Sequence, residues 1–183
     1  MIVRMTDSIF AKINRMLRPL IFLCFITVTG TACLKTNKTS GCNYSVTVSA
    51  APQAEQDSIK AYLDTNHISA TKHEKGFYYQ IVTPGTKTDS INLCTQVQAN
   101  YKGQLRNGHV FDQQSAVWFT LGPMIDGWKE GIPLIGRGGR VKLYIPPTLG
   151  YGNREVRNAA GTLEIPANSI LIFDVSVLDY TKN

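Results

Sequence analysis

The chain offers few side chains that could do chemistry, and most of the obvious sets lead nowhere. His67, His73 and His109 lack the spacing that brings imidazoles onto one metal ion, so they read as surface residues. Gly136-Arg137-Gly138-Gly139-Arg140 is glycine-rich, but it lacks the Lys-Ser/Thr of a phosphate loop and precedes a strand pattern, which makes it a hairpin turn. No motif sets serine, histidine and aspartate up for acyl transfer. What remains is an aromatic–carboxylate pair, Phe111-Asp112, followed down the chain by Trp128, Tyr151 and Phe173. Singly, each ring reads as core packing. Their chemistry as a set depends on the elements that position them.

Val97, Ala99 and Tyr101 alternate with Gln98, Asn100 and Lys102, the period-two pattern of a strand with one buried face. Arg106-Asn107-Gly108 supplies a turn, because Asn and Gly tolerate the positive φ of tight hairpins, and Phe111-Asp112 falls where the strand returns. Strands are expected over 76–82, where Pro84-Gly85 stops the run, and over 97–105, 109–111 and 118–121. Val141, Leu143 and Ile145 mark another, and Leu171, Phe173, Val175 and Val177 the last. Residues 125–135 are the single helix expected among these strands. Residues 54–64, with Pro52 near their start and Ile59, Tyr62 and Leu63 on one face, form an outlying helix. One-faced strands around one short helix make an α+β domain, an antiparallel sheet curved around that helix.

The N-terminus reads as a targeting segment. A basic stretch runs to Arg18, an apolar run from Leu20 to Val28, and then come Gly30-Thr31-Ala32-Cys33. The run is shorter than the roughly 20 apolar residues of a membrane span and fits a signal-peptide core. Small residues before Cys33 resemble a bacterial lipobox, whose cysteine is acylated and becomes the first mature residue. Gly30 stands where that box usually has a larger aliphatic residue, so an ordinary secretory signal or an amphipathic membrane helix stays open. The division is then a signal peptide over 1–32, a flexible Thr-, Ser- and Asn-rich tether over 33–51, a helical extension over 52–75 and the domain over 76–181. This implies export to the cell envelope and a lipid anchor on a bacterial membrane, facing the periplasm or the cell surface. Export permits a bridge between Cys42 and Cys94, although spacing alone leaves two free thiols equally open.

Of the net charge of +6, Arg4, Lys12, Arg15 and Arg18 against Asp7 place +3 in the leader. No basic stripe interleaved with aromatics remains, which argues against nucleic-acid binding.

Four motifs in order, YKGQLRNGHVFD, LGPMIDGWKEG, YGN and IPANSILIFDV, resemble the FK506-binding-protein family of peptidyl-prolyl cis–trans isomerases. The resemblance runs from about residue 76 to residue 180. It implies a pocket with Trp128 as the floor under a proline ring and Tyr101, Phe111 and Phe173 as walls. Val117, Met124 and Ile165 would complete the lining. Ile125 would offer its backbone N–H, and Tyr151 its hydroxyl, to substrate carbonyls, while Asp112 would hold polar groups in place. The family uses no cofactor, acts on proline-containing polypeptides and binds FK506- or rapamycin-like macrolides. Two departures bear on preference: Val117 stands where members often carry a large aromatic, and the loop over 152–164 has no histidine. A non-catalytic chaperone or binding module on the same pocket is the other reading.

Overall fold

The computed structural model describes residues 42–46, 49–87 and 90–181. The leader, Cys33 and most of the tether lie outside these residues.

Six strands form one antiparallel sheet: β1 (Thr71–Lys72), β2 (Tyr78–Thr83), β3 (Gln96–Leu105), β4 (Val110–Thr120), β5 (Arg140–Ile145) and, last in the chain, β8 (Leu171–Tyr180). Their order is β1-β2-β5-β8-β3-β4, and every neighbouring pair is antiparallel. A separate small hairpin joins β6 (Val156–Arg157) to β7 (Leu163–Ile165). The α+β class expected from the one-faced strands is the class observed.

Alternation decides which face each side chain takes. Leu171, Phe173, Val175 and Val177 of β8 are buried on one face with Val97, Ala99, Val141 and Leu143. Helix α2 (Asp126–Gly131) packs there. A Cβ on Gly127 would stand 2.6 Å from Ile145, and one on Gly131 2.6 Å from Leu143, so both glycines let the helix backbone press on β5. On the opposite face helix α1 (Gln53–Thr65) sets Ile59 and Leu63 against Tyr78, Tyr144, Ile170 and Ile172. Glu55 fastens α1 by accepting from the Thr148 N–H at 3.0 Å and the Thr148 hydroxyl at 2.7 Å.

Three expectations change. The helix over 125–135 is α-helical only to Gly131 and continues as a 3-10 turn, Ile132–Leu134, because Pro133 has no N–H for the next i to i−4 bond. The segments 109–111 and 118–121 are one eleven-residue strand, β4. The polar run Gln113–Ala116 between them stays in the ladder through a bulge at which Ala116 adopts φ 51° and donates its N–H to Asn100 Oδ1 at 2.7 Å. His73, read as a surface residue, is half-buried and stacks on Phe77 with ring centroids 4.3 Å apart.

Cys42 and Cys94 are bridged, with Cα atoms 5.7 Å apart. A loop of 52 residues is closed, and in the chain-entropy model that contributes about 4 kcal/mol. Leu93 and Thr95, beside Cys94, accept backbone N–H bonds from Gly122 at 2.7 Å and Leu121 at 3.1 Å. The bridge thus fixes Cys42, midway along the tether expected over 33–51, next to the segment that leads into α2.

Candidate active site

Each wall of the recess is delivered by a different element. β3 carries Tyr101 and β8 carries Phe173. β4 carries Phe111, Asp112, Val117 and Phe119, and α2 carries Trp128 just after Pro123, Met124 and Ile125. Tyr151 follows a 3-10 turn, Pro147–Leu149, and Ile165 ends β7. All ten pocket residues expected from the sequence line one cavity of about 540 Å³, within the range of small-ligand sites.

The floor is held by ring packing. Trp128 is 4% exposed and meets Tyr101 edge-on at 5.1 Å and 80°, Phe173 at 5.1 Å and 78°, and Phe119 at 5.2 Å. Phe111 meets Phe173 at 5.5 Å and 83°. Such edge-to-face pairs contribute about 0.5–1.5 kcal/mol each beyond area burial. The Trp128 indole N–H is buried without a partner among the described residues, so packing alone holds this ring.

Two backbone features aim these rings. The β3–β4 register passes from Gly103↔Asp112 to Gln104↔Val110, which leaves Phe111 as an extra residue turned out of the ladder. Gly103 makes room for it: a Cβ there would lie 2.6 Å from the Phe111 ring and 2.7 Å from Phe173. A side chain at 103 would collide with both rings, so one or both would have to move. Sequence reasoning missed this residue, although a glycine inside a strand is itself a sign of close approach.

The polar groups are few. The Tyr101 hydroxyl donates to Asp112 Oδ2 at 2.6 Å. Burial first, then that bond and the Asp112 charge, push the Tyr101 phenol well above its ordinary value. Tyr151 is also raised, by burial first and then by Asp112, with Arg154 opposing. Both phenols therefore keep their protons at neutral pH. The Tyr101 proton is committed to Asp112, whereas the Tyr151 hydroxyl and the Ile125 N–H have no acceptor among the described residues. These two donors stand free in the cavity wall, apart from the buried Trp128 indole N–H of the floor.

The loop over 152–164 forms a rim through the β6–β7 hairpin. Val156, Arg157, Asn158 and Glu164 line the opening, and sequence reasoning missed all four. Asn158 donates to Glu164 Oε1 at 2.7 Å, and His109 Nε2 lies 3.1 Å from Glu164 Oε2. The rim has no histidine of its own, yet His109 reaches it from the turn before β4. Phe119 and Pro123 were also missed. Val117 is half-buried in the wall. Among the described residues no group of three His, Cys, Asp or Glu is placed to hold a metal ion.

A family model described as FKBP-type peptidyl-prolyl cis-trans isomerase matches residues 88–178. This domain of the chain belongs to that family. A probable FKBP-type peptidyl-prolyl cis-trans isomerase of Haemophilus influenzae is 43% identical over 110 residues, covering 58% of this chain and 43% of that one. The isomerase FkpA of Escherichia coli K12 is 42% identical over 108 residues, covering 57% of this chain and 37% of that one. The crystal structure of FkpA from Escherichia coli superposes with a TM-score of 0.59 at 34% identity, covering 71% of this chain and 61% of that one. The chain spans about half the length, or less, of the curated relatives it matches. The FKBP domain is what they share.

Proposed function

We propose that this protein is a peptidyl-prolyl cis–trans isomerase acting on exported or unfolded polypeptides. The observation that carries the reading is the cavity itself: six aromatic side chains around one apolar recess, with the Ile125 N–H and the Tyr151 hydroxyl uncommitted in its wall.

Rotation about an X-Pro amide faces a barrier of about 18–20 kcal/mol and relaxes over tens to hundreds of seconds. The planar amide is charge-separated and the twisted one less so. An apolar recess penalises the planar states more than the transition state. Trp128 supports the proline ring, and Tyr101, Phe111 and Phe173 exclude water around it. Val117, Met124 and Ile165 close the walls. The Ile125 N–H and the Tyr151 hydroxyl hold substrate carbonyls, so one side of the bond is fixed while the other turns. Asp112 holds Tyr101 in place. No nucleophile enters, and each tenfold in rate requires only about 1.4 kcal/mol.

The same recess suits an FK506- or rapamycin-like macrolide as inhibitor. The leader supports export and acylation at Cys33, which would hold the domain at a bacterial membrane, in the periplasm or at the cell surface. A protease-coupled proline-peptide assay tests the activity: turnover that a macrolide abolishes supports the reading, and binding without turnover would leave a non-catalytic module. Cys33→Ser should release the protein from membranes and abolish fatty-acid labelling. Unchanged fractionation, with no label in the parent protein, would remove the anchor.

A further inference from the structure

β4 is the outermost strand of the sheet, and among the described residues no strand pairs with its far side. It is eleven residues long, whereas the opposite edge is the two-residue β1, which carries Lys72. Sheets protect open edges with shortness, charge or proline, because unpaired N–H and C=O groups recruit other chains. From Gln113 to Thr120, β4 has neither charge nor proline. Its one irregularity there is the bulge at Ala116. Trp118 is 48% exposed and Val110 36%. The same strand sends Phe111, Val117 and Phe119 to the cavity, so the open edge is continuous with the pocket mouth.

We propose that the β4 edge docks the extended polypeptide that flanks the bound proline. The proposal rests on the isomerase reading and deepens it. The client's backbone adds a seventh strand beyond β4 while its X-Pro bond sits in the cavity. Main-chain bonds supply affinity that does not depend on client sequence, as an enzyme for many unfolded chains requires. Alternation places client side chains on two faces. One set meets the cavity mouth, and the other meets Trp118, which points away from the face of Val117 and Phe119. Continuity with the cavity favours a client over a second copy of the chain, since an edge-to-edge pair would leave the recess empty.

The test uses the mature protein, a proline tetrapeptide, the same peptide extended on both sides by uncharged residues, and versions of the longer peptide N-methylated at successive positions. kcat/KM should rise several-fold with length, and N-methylation should remove the gain only at alternate positions. Trp118→Lys should turn over the tetrapeptide as the parent does, which certifies the fold, and lose the gain from length. Equal kcat/KM for both peptides, or a gain that survives every N-methylation, would overturn the proposal. So would a dimer in sedimentation that Trp118→Lys dissolves, since the occupant would then be a second copy. Absence of tetrapeptide turnover in the parent would instead overturn the isomerase reading and this proposal together.

Discussion

Trp128 and Phe173 are each 4% exposed and each touch three other aromatic rings, whereas Arg157 and Asn158 on the same cavity are exposed and bonded within their own hairpin. The floor rests on three strands and a helix that share the main core. The rim rests on two- and three-residue strands joined by exposed polar pairs, which contribute little. The floor can therefore hold a fixed shape against a twisting amide, and the rim can vary without loss of fold. A shape-dependent catalyst needs the first property. The proposed isomerase, if it meets many clients, would benefit from the second.

The comparison breaks most visibly at Trp128. Trp128→Ala removes the ring that three others pack on and should cost about 3–5 kcal/mol of stability. Thermal melting checks this, and turnover is interpretable only while circular dichroism shows a folded domain. Gly103→Ala comes next. It deletes nothing, but its methyl group collides with Phe111 and Phe173. Overpacking of this kind costs about 1–3 kcal/mol, and macrolide affinity should fall more than the melting temperature implies, because the rings that collide line the cavity. Equal stability and affinity would show that the walls are softer than described.

Tyr151 joins floor to rim. Tyr151→Phe should reduce kcat/KM by the equivalent of about 0.5–1.5 kcal/mol, one net hydrogen bond. The raised values of Tyr101 and Tyr151 carry a pH signature. A phenol whose folded value lies above its ordinary one contributes stability fully below the ordinary value of about 10, and loses it as pH rises through the folded value. Spectrophotometric titration should therefore find these two tyrosinates forming at higher pH than ordinary tyrosines, and turnover should stay flat through the ordinary range. The smallest effect belongs to the rim. Glu164→Gln should change stability by less than about 1 kcal/mol and leave turnover of uncharged peptides nearly unchanged.

The floor was legible because its residues sit in motifs of fixed order; Gly103, which interrupts a strand where glycine has no propensity reason to be, was a further signal that went unread. Phe119 was not. Two bulges in β4, at Phe111 and at Ala116, reset the period-two count, so parity along the sequence cannot say whether Trp118 or Phe119 faces inward. The length of β4 was hidden for the same reason, since a polar run through a bulge resembles a turn. The rim residues Arg157, Asn158 and Glu164 escaped because a polar loop carries no periodic signal. Their placement follows from β6–β7 pairing and from His109, 55 residues away along the chain from Glu164.

On the proposed reading the walls of this cavity carry the rotation about proline, and the β4 edge adds only affinity for longer clients. Asp112→Leu and Phe173→Leu test it most directly, measured for kcat/KM on a proline peptide, macrolide affinity and melting temperature in the same preparations. Asp112→Leu leaves the Tyr101 hydroxyl without its partner, at about 1–3 kcal/mol. Both variants should remain folded and lose turnover and macrolide binding together. Folded variants that turn over proline peptides as fast as the parent would contradict the account.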